Sequence, residues 1–261
     1  MIKKIIALLV FTACLCACET DDSDPANSQQ VNPTFRFTFN WDGTAVTNAD
    51  LNSFNFVNAN GETLSIERLR YVISDITFRT NSGEVLSTNA HNLVDISIDN
   101  SLTFELPSTI PVGNFNNVSF TFGLDNEDNA QNYVDLNSAS FNVPDMLGGG
   151  YHYMQFDGKF INSSMDEQGF NYHAIRAVDN PGPNPTFPQD TFFNVNLGAI
   201  AITNGTEIEI QMNIAEWFKN PNQWDLNVYN QMLMPNSTAQ ILMFENGQSV
   251  FSLGEVTQIT E

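Results

Sequence analysis

The side chains of this chain that are best suited to chemistry are its histidines, of which it has three: His91, His152 and His173. Imidazole nitrogen is a common ligand of copper, and the thioether sulfur of methionine favours Cu(I). The sequence has no His-x-His or His-x-x-x-His pair, so no two ligands are fixed locally. A site built from these residues therefore requires a fold that brings distant strands together.

Two of the histidines lie in segments with strand-like character, and each has two interpretations. In residues 151–160 the alternation places His152 on the apolar face, together with Met154. His152 is then either a buried neutral histidine bonded to backbone, or a ligand at one end of the core. His173 lies in a segment that can return antiparallel to residues 151–160. His91 fits an ordinary surface histidine as well as a third ligand.

Two further groups of side chains could supply ligands. Met232, Met234 and Met243 form a sequence cluster of the kind found in copper-handling proteins, although methionine also fills gaps in cores. The acidic run at residues 125–129 offers hard oxygen donors that suit calcium. It lacks the complete EF-hand spacing, so a solvated acidic turn is the competing interpretation.

Motifs of the common enzyme classes are absent from the sequence. It contains no Gly-x-Ser-x-Gly elbow, no His-Glu-x-x-His, no phosphate-binding loop and no Gly-x-Gly-x-x-Gly. The cysteines are Cys14, Cys16 and Cys18, all close to the N-terminus, so a cysteine nucleophile in the main domain is excluded. We therefore predict that the chain is not an enzyme.

Period-two alternation of apolar and polar residues dominates the chain after residue 34, and it indicates half-buried strands. It occurs in residues 35–39, 118–122, 193–197 and 208–214. Asn-Gly pairs mark turns between such segments. The main helix signal lies in residues 231–244, with a start near Pro235. We predict one all-β domain over residues 34–261, an antiparallel β-sandwich or irregular barrel with one short C-terminal helix.

The N-terminus has the layout of a lipoprotein signal peptide. Two lysines precede a short apolar run, and a small residue stands directly before Cys18, which resembles a bacterial lipobox. The apolar run is too short to span a bilayer. We predict a signal peptide at residues 1–17, an acylated Cys18 and a disordered acidic tether at residues 18–33. Cys14 is an alternative lipidation site, and an ordinary cleaved signal peptide is the competing interpretation.

The charge balance is strongly acidic, with 9 Lys+Arg, 30 Asp+Glu and a formal net charge of −21. Such a surface repels phosphate backbones and anionic head groups, so we exclude nucleic acid as a partner and expect membrane attachment through lipid. The acidic residues 19–24 resemble an export signal of Bacteroidetes-type lineages, and they equally fit a solvated tether. We predict an outer-membrane lipoprotein on the periplasmic side or at the cell surface.

Several segments occur in an order that carries a family resemblance: residues 64–76, residues 120–125, and residues 146–160 followed by His173. This order resembles the MbnP-like family of bacterial periplasmic or lipid-anchored copper-binding proteins, from about Phe35 to about Phe251. The resemblance implies a β-rich domain, copper binding and partnership with a dihaem peroxidase-type protein that oxidises a tryptophan to kynurenine. It also implies a histidine at His173, which we rank first among the candidate ligands, before His152 and His91.

One departure from the family pattern limits what the resemblance implies. Members carry a Trp-rich element before the Gly-Tyr strand, whereas this chain has Met-Leu-Gly-Gly-Gly at residues 146–150. A modified tryptophan at that point is therefore excluded. Trp41, Trp217 and Trp224 look like core or rim aromatics.

Three hypotheses of function follow from the sequence. The first is a lipid-anchored envelope protein that binds copper for uptake or handling. The second is a metal-free surface module for a glycan or protein ligand, in which Trp41, Trp217, Trp224 or Tyr229 stack on sugar rings. The third is a structural subunit of an envelope complex.

Overall fold

The alternating segments of the sequence form strands in the computed structural model, which describes residues 29–258. Within that range the strands are β1 (Gln30–Val31), β2 (Thr34–Trp41), β3 (Thr44–Val46), β4 (Phe56–Val57), β5 (Thr63–Thr80), β6 (Val85–Ser87), β7 (His91–Asp95), β8 (Thr103–Glu105), β9 (Ile110–Pro111), β10 (Gly113–Phe122), β11 (Met154–Ile161), β12 (Glu167–Ala174), β13 (Phe193–Ile202), β14 (Thr206–Asn213) and β15 (Phe251–Gln258). The helices are α1 (Val134–Ser138) and α2 (Ser237–Gly247), with short 3-10 turns at Asn48–Asp50, Asp99–Leu102, Asp128–Ala130, Asp145–Leu147 and Ile214–Phe218.

The strands form two large sheets and one small ribbon. The larger sheet has the order β12-β11-β5-β10-β13, and β4, β6 and β7 also pair with β5. The second sheet has the order β15-β14-β2-β3, with β8 on β2, and β1 pairs with β9. Among the described strands, β2 and β14 run parallel and the other pairs are antiparallel. The predicted all-β fold with one short C-terminal helix is confirmed, with open sheets rather than a closed barrel.

Aromatic rings fill the space between the two sheets. Phe37 and Phe39 of β2 each lie 6.3 Å from the ring of Tyr71 on β5. Phe251 of β15 lies 5.5 Å from the same ring. Removal of such large apolar surfaces from water is the main favourable contribution to folding. The long strand β5 is thereby held rigidly against the second sheet.

The folded part begins ahead of the predicted boundary at residue 34. Gln30–Val31 pairs with Ile110–Pro111, and Val31 is buried. The predicted signal peptide (residues 1–17), Cys18 and most of the predicted tether lie outside the described residues. No helix between residues 29 and 258 has the length and apolar character needed to cross a bilayer.

Helix α2 begins where the sequence predicts it. The Asn236 side chain accepts a hydrogen bond from the Ala239 N–H, which satisfies one of the free donors at the helix start. The buried face of the helix includes Ala239, Gln240 and Met243, so a buried amide lies on the side that contacts the sheets.

Strands β10 and β11 share one edge of β5 and separate at Val72. The Val72 N–H donates to the Tyr153 carbonyl, and the Val72 carbonyl accepts from the Gly123 N–H. The connection between β10 and β11 therefore leaves the sheet at Gly123 and returns at Tyr153. Gly123 has a φ of +86°, and a Cβ there would lie 2.6 Å from the Tyr153 ring, so only glycine fits this exit.

Candidate metal centre

A row of polar side chains crosses three neighbouring strands on one face of the larger sheet. Its members are Arg68 and Arg70 on β5, Gln155 and Asp157 on β11, and Asn171 and His173 on β12. They share a face because alternate residues of a strand point the same way. The intervening residues, such as Phe156 and Tyr172, lie in the core. Strand pairing thus places His173 beside charged and hydrogen-bonding groups.

Asp157 is the residue that ties this row together. Its Oδ1 accepts hydrogen bonds from His173 Nε2 at 2.8 Å and from Asn171 Nδ2 at 2.6 Å, and its Oδ2 is paired with Arg68. Burial opposes ionisation of Asp157, but the hydrogen bonds and charges of His173, Asn171 and Arg68 prevail and lower its pKa to about 2. A carboxylate on one imidazole nitrogen orients the ring and leaves Nδ1 of His173 free to act as a ligand.

His152 lies beside His173 at the end of the connection between β10 and β11. The two rings are 5.2 Å apart and meet edge to face at 84°. The Phe141 carbonyl lies 2.8 Å from both the main-chain nitrogen and the Nδ1 of His152. Burial lowers the pKa of His152 to about 4, so the imidazole is neutral at physiological pH.

The position of His152 corrects the expectation from strand alternation. Strand β11 begins only at Met154, so His152 precedes the alternating part of the segment. Its ring lies on the face that carries His173, whereas Met154 is fully buried in the core. His152 and Met154 therefore do not share a face.

A third donor, Met234, meets His152 at 3.1 Å between Sδ and Nε2. The Phe141 carbonyl can only accept, so the ring proton of neutral His152 is assigned to Nδ1. Nε2 then carries a lone pair, and it faces a thioether sulfur that has no proton to donate. Two acceptors in contact repel each other when nothing positive lies between them, and a soft cation bound to both atoms would remove this repulsion.

Helix α2 holds the segment that carries Met234 through the buried side chain of Gln240. Its Nε2 donates to the carbonyls of His173 at 2.9 Å and Leu233 at 3.0 Å, and its Oε1 accepts from the Ile175 N–H at 2.8 Å. Met234 also packs on a small second apolar cluster that contains Ile175. One side chain thus joins strand β12, the Met234 segment and α2.

The candidate centre opens into a pocket of about 490 Å³. The pocket is lined by His173, Met234 and two further methionines, Met146 and Met232, and its walls are mostly apolar. A ligand or ion in this pocket would reach His173 and Met234 directly.

The third histidine does not join the other two. His91 begins β7, where its Nε2 lies 2.9 Å from Asp135 Oδ2 and its ring packs 4.4 Å from the ring of Tyr133. Met243, the third member of the methionine cluster, is buried in the core and packs there. The structure thus brings together two of the three predicted histidines and Met234, and it places Met232 in the wall of the adjoining pocket.

The acidic run at residues 125–129 forms a hydrogen-bonded turn. The Asp125 side chain accepts from the N–H groups of Glu127 at 2.9 Å and Asp128 at 2.8 Å. Across residues 29–258, no three His, Cys, Asp or Glu side chains form a group that could hold a metal ion. The candidate centre therefore depends on a thioether, which neither histidine spacing nor acidic runs reveal in the sequence.

Two of the tryptophans considered for sugar stacking are buried. Trp217 and Trp224 are 0% and 1% exposed, so neither presents a face to a ligand. Trp41 is half-buried and packs on Phe56 and Phe218. The stacking proposed for Trp217 and Trp224 is corrected, and both are core aromatics.

Comparison with known proteins places the chain in a family. The profile of the MbnP family matches residues 29–238, which is more than half of the chain. Among solved structures, MbnP from Methylosinus trichosporium superposes with a TM-score of 0.54 at 12% sequence identity, over 87% of this chain and 99% of that one. At this identity the likeness shows the fold alone. No curated protein matched the sequence. The resemblance found in the sequence is confirmed, and the chain belongs to the MbnP family.

Proposed function

We propose that this chain binds copper through His152, His173 and Met234, for uptake or handling of the metal in the cell envelope. The observation that carries the proposal is the contact of 3.1 Å between His152 Nε2 and Met234 Sδ. With the ring proton of neutral His152 assigned to Nδ1, neither of these two atoms has a proton to share. Nitrogen and sulfur donors that bond a metal at about 2.0–2.3 Å can both reach one ion across such a gap. Two imidazoles and a thioether suit copper, and Cu(I) best.

The surrounding residues prepare these donors for an ion. Phe141 fixes the tautomer that leaves Nε2 of His152 open, and the low pKa of His152 means that no proton must leave before a metal binds. Asp157 orients the ring of His173, as carboxylates do for many metal-bound histidines. Gln240 bonds the carbonyls of His173 and Leu233 and so fixes the segment that carries Met234 next to strand β12.

The copper proposal is tested by anaerobic competition for Cu(I) against a coloured chelator, with Cu(II) measured separately by calorimetry. We expect the His152→Ala/His173→Ala variant to bind Cu(I) at least about 100-fold more weakly, since loss of outer partners alone costs about 10–100-fold. His91→Ala is the matched control and should bind as the unchanged chain does. Equal affinity of the double variant and the unchanged chain would contradict the proposal.

We also propose that a lipid on Cys18 anchors the chain to the outer membrane, on the periplasmic side or at the surface. The lipobox-like sequence supports the proposal, and so does the net charge of −21, which disfavours direct binding to anionic head groups. Cys18→Ser should move the protein from the membrane to the soluble fraction and abolish incorporation of an alkyne-labelled fatty acid. Cys14→Ser should change neither the membrane location nor the fatty-acid labelling. Persistent labelling of the Cys18→Ser protein would contradict acylation at Cys18.

The family resemblance supports a dihaem peroxidase-type protein as the partner. Co-purification of the lipidated chain from native membranes, followed by haem staining, tests this proposal. The Cys18→Ser protein serves as the control that separates a direct complex from shared membrane location.

A metal-free binding module is the second candidate function, and a polar pocket favours it. This pocket of about 280 Å³ is lined by the amides of Asn129, Asn132 and Asn142, together with Arg176 and Phe187. The Arg176 guanidinium lies 3.8 Å from the centre of the Phe187 ring, and its buried Nε finds no partner among the described residues. A hydroxyl-rich ligand such as a sugar would match these donors. This function would be supported if the unchanged chain bound a saccharide and the Arg176→Leu variant did not. Absence of saccharide binding by the unchanged chain would contradict it.

A further inference from the structure

Two exposed methionines line the outer part of the pocket beside the candidate centre. Met146 is 57% exposed and Met232 is 79% exposed, although large apolar side chains normally favour the interior. Both line the same pocket as Met234 and His173. The pocket therefore presents thioethers from its surface inward to the imidazole of His173.

The chemistry of the pocket walls selects one kind of ion. The chain has 30 Asp+Glu, yet no acidic residue is among the described residues that line this pocket. Leucine and proline side chains supply the remaining apolar surface. Hard cations such as Ca²⁺ and Mg²⁺ need several oxygen ligands, whereas Cu⁺ accepts thioether sulfur. The walls favour a soft monovalent ion over a hydrated divalent one.

We propose that Met146 and Met232 form an outer capture site for monovalent copper, from which the ion passes to His152, His173 and Met234 by ligand exchange. The proposal rests on the copper-binding function of the inner centre. In each step one Cu–S bond breaks as another Cu–S or Cu–N bond forms, and copper remains Cu⁺ throughout. The Phe141 carbonyl accepts from Nδ1 of His152, so Nε2 of this ring is the nitrogen open to the ion.

Methionine suits an exchange site for two physical reasons. The thioether is neutral and does not titrate, so it binds Cu⁺ without competition from protons. The unbranched side chain has several rotatable bonds, so exposed methionines can follow an ion as it moves inward. The source of the ion would be a Cu⁺ complex with sulfur ligands, because such ligands exchange readily with thioethers.

The rate of copper transfer tests the outer site. Cu(I) is presented as a complex with a coloured chelator, and its transfer to the protein is followed by anaerobic stopped flow. We expect Met146→Leu/Met232→Leu to slow transfer about tenfold or more and to change the equilibrium affinity by less than about threefold, since the inner centre is intact. Leucine keeps the apolar volume and removes only the sulfur, so the fold is preserved.

The hairpin turn between β11 and β12 offers a matched control. Met165 is 81% exposed and has a φ of 68°, close to the 57° of Met232, but it lines a different pocket. Met165→Leu should transfer copper as fast as the unchanged chain. The proposal would be overturned if Met146→Leu/Met232→Leu transferred copper as fast as Met165→Leu does. It would also be overturned if Met165→Leu slowed transfer as much as the double variant.

A second measurement detects the outer site directly and separates it from the inner centre. Ag⁺ is a redox-inert probe for monovalent copper, and methionine methyl groups labelled with carbon-13 report its binding. In the His152→Ala/His173→Ala variant, Ag⁺ should shift the methyl signals of Met146 and Met232 and leave that of Met165 in place. Shifts no larger than those of Met165 would overturn the outer site. Wild-type Cu(I) affinity in the same double variant would instead contradict the inner centre.

Discussion

At the scale of single residues, the candidate centre depends on a carbonyl oxygen that fixes a proton. Because the Phe141 carbonyl accepts from Nδ1 of His152, the Nε2 lone pair points at the sulfur of Met234. Burial keeps the ring neutral, with a pKa of about 4. On the other side, Asp157 holds Nε2 of His173. Each imidazole thus has one nitrogen occupied by the protein and one that can bind a metal.

Asp157→Asn tests the role of the carboxylate. The change keeps the size of the side chain but removes the charge that orients His173 and pairs with Arg68. We expect Cu(I) affinity to fall about 10–100-fold, the usual cost of losing an outer partner of a metal-bound histidine. Competition titration against a coloured chelator measures it. Asp166→Asn, an equal charge change in the exposed hairpin turn, should leave the affinity unchanged, and equal affinities of the two variants would contradict the role of Asp157.

The sequence identifies the two histidines as candidate ligands and offers Met234 only as one member of a methionine cluster, with nothing that links it to them. Histidine is so rare in this chain that His152 and His173 are natural candidates. Met234 lies 82 residues from His152, and no spacing rule links a methionine to a histidine at that distance. Asp157 is one of many acids, and its partnership with His173 follows from the register of β11 and β12. Register is a property of the folded sheet, so sequence alone could not reveal it.

At the scale of elements, β11 must lie close to β5 for Arg68 to reach Asp157. The register between the two strands shifts at Gly158, where a Cβ would lie 2.0 Å from the Ser65 carbonyl oxygen. That oxygen belongs to the backbone of a central strand, so moving it away would disrupt strand pairing and cost free energy. The bulge therefore requires glycine, and it sits directly after the residue that orients His173.

Gly158→Ala should destabilise the domain strongly. The added methyl group forces β5 and β11 apart, and we expect the free energy of unfolding to fall by about 2–4 kcal/mol. Gly169→Ala in β12 is the matched control, because its Cβ would meet nothing closer than 3.9 Å. Urea unfolding monitored by tryptophan fluorescence measures both variants. Equal midpoints for the two variants would contradict the close approach at Gly158.

Strand β5 also carries a carboxyl group that opposes stability at neutral pH. Burial, followed by the nearby charges of Asp128 and Asp125, raises the pKa of Asp75 from 3.8 to about 6. A pKa that is raised by folding means that stability is complete below about pH 3.8 and is lost as the pH rises through about 6. The backbone of Asp75 is left-handed, with a φ of 50°, a conformation that asparagine also adopts readily.

Asp75→Asn should therefore raise the free energy of unfolding near pH 8 by about 1 kcal/mol after allowance for solvent screening. Near pH 3.5 the variant and the unchanged chain should be equally stable. Urea unfolding across this pH range gives the comparison, and Glu84→Gln, an equal change at an exposed residue, is the reference variant. A stability difference that does not grow between pH 4 and 7 would contradict the assignment to Asp75.

The elements show what alternation can and cannot predict. Period-two patterns identify β2, β13 and β14, in which mainly one face is buried. They also locate β10, but residues 118–122 of this strand are buried on both faces, so the expected half-buried strand is wrong there. The same pattern is blind to partners, so the parallel pairing of β2 with β14 was not predicted. The period-two pattern also gives no information on the connection between β10 and β11, which returns at His152, because irregular backbone has no period. The candidate centre lies where that connection meets the sheet.

At the scale of the whole molecule, two opposing features set the stability. The cysteines lie at or before Cys18, so no disulfide crosslinks the folded domain, and the aromatic core between the sheets must supply the stability. The formal net charge of −21, from 30 Asp+Glu and 9 Lys+Arg, opposes the stabilisation by this core. Like charges are closer together in the folded state than in the unfolded chain, so their repulsion lowers the free energy of unfolding.

Ionic strength should therefore change the stability of the whole domain in a predictable direction. The Debye length falls from about 30 Å at 0.01 M salt to about 10 Å at 0.1 M, so added NaCl screens repulsion between distant carboxylates. We expect Tm to rise by several degrees over this range, measured by circular dichroism at pH 7. The effect should shrink near pH 4, close to the isoelectric point of about 4.1, because the net charge there is small. Equal amounts of sucrose control for solutes that act without screening. A Tm that falls with salt at pH 7, or rises equally at pH 4, would show that attractive ion pairs or general salt effects outweigh the repulsion.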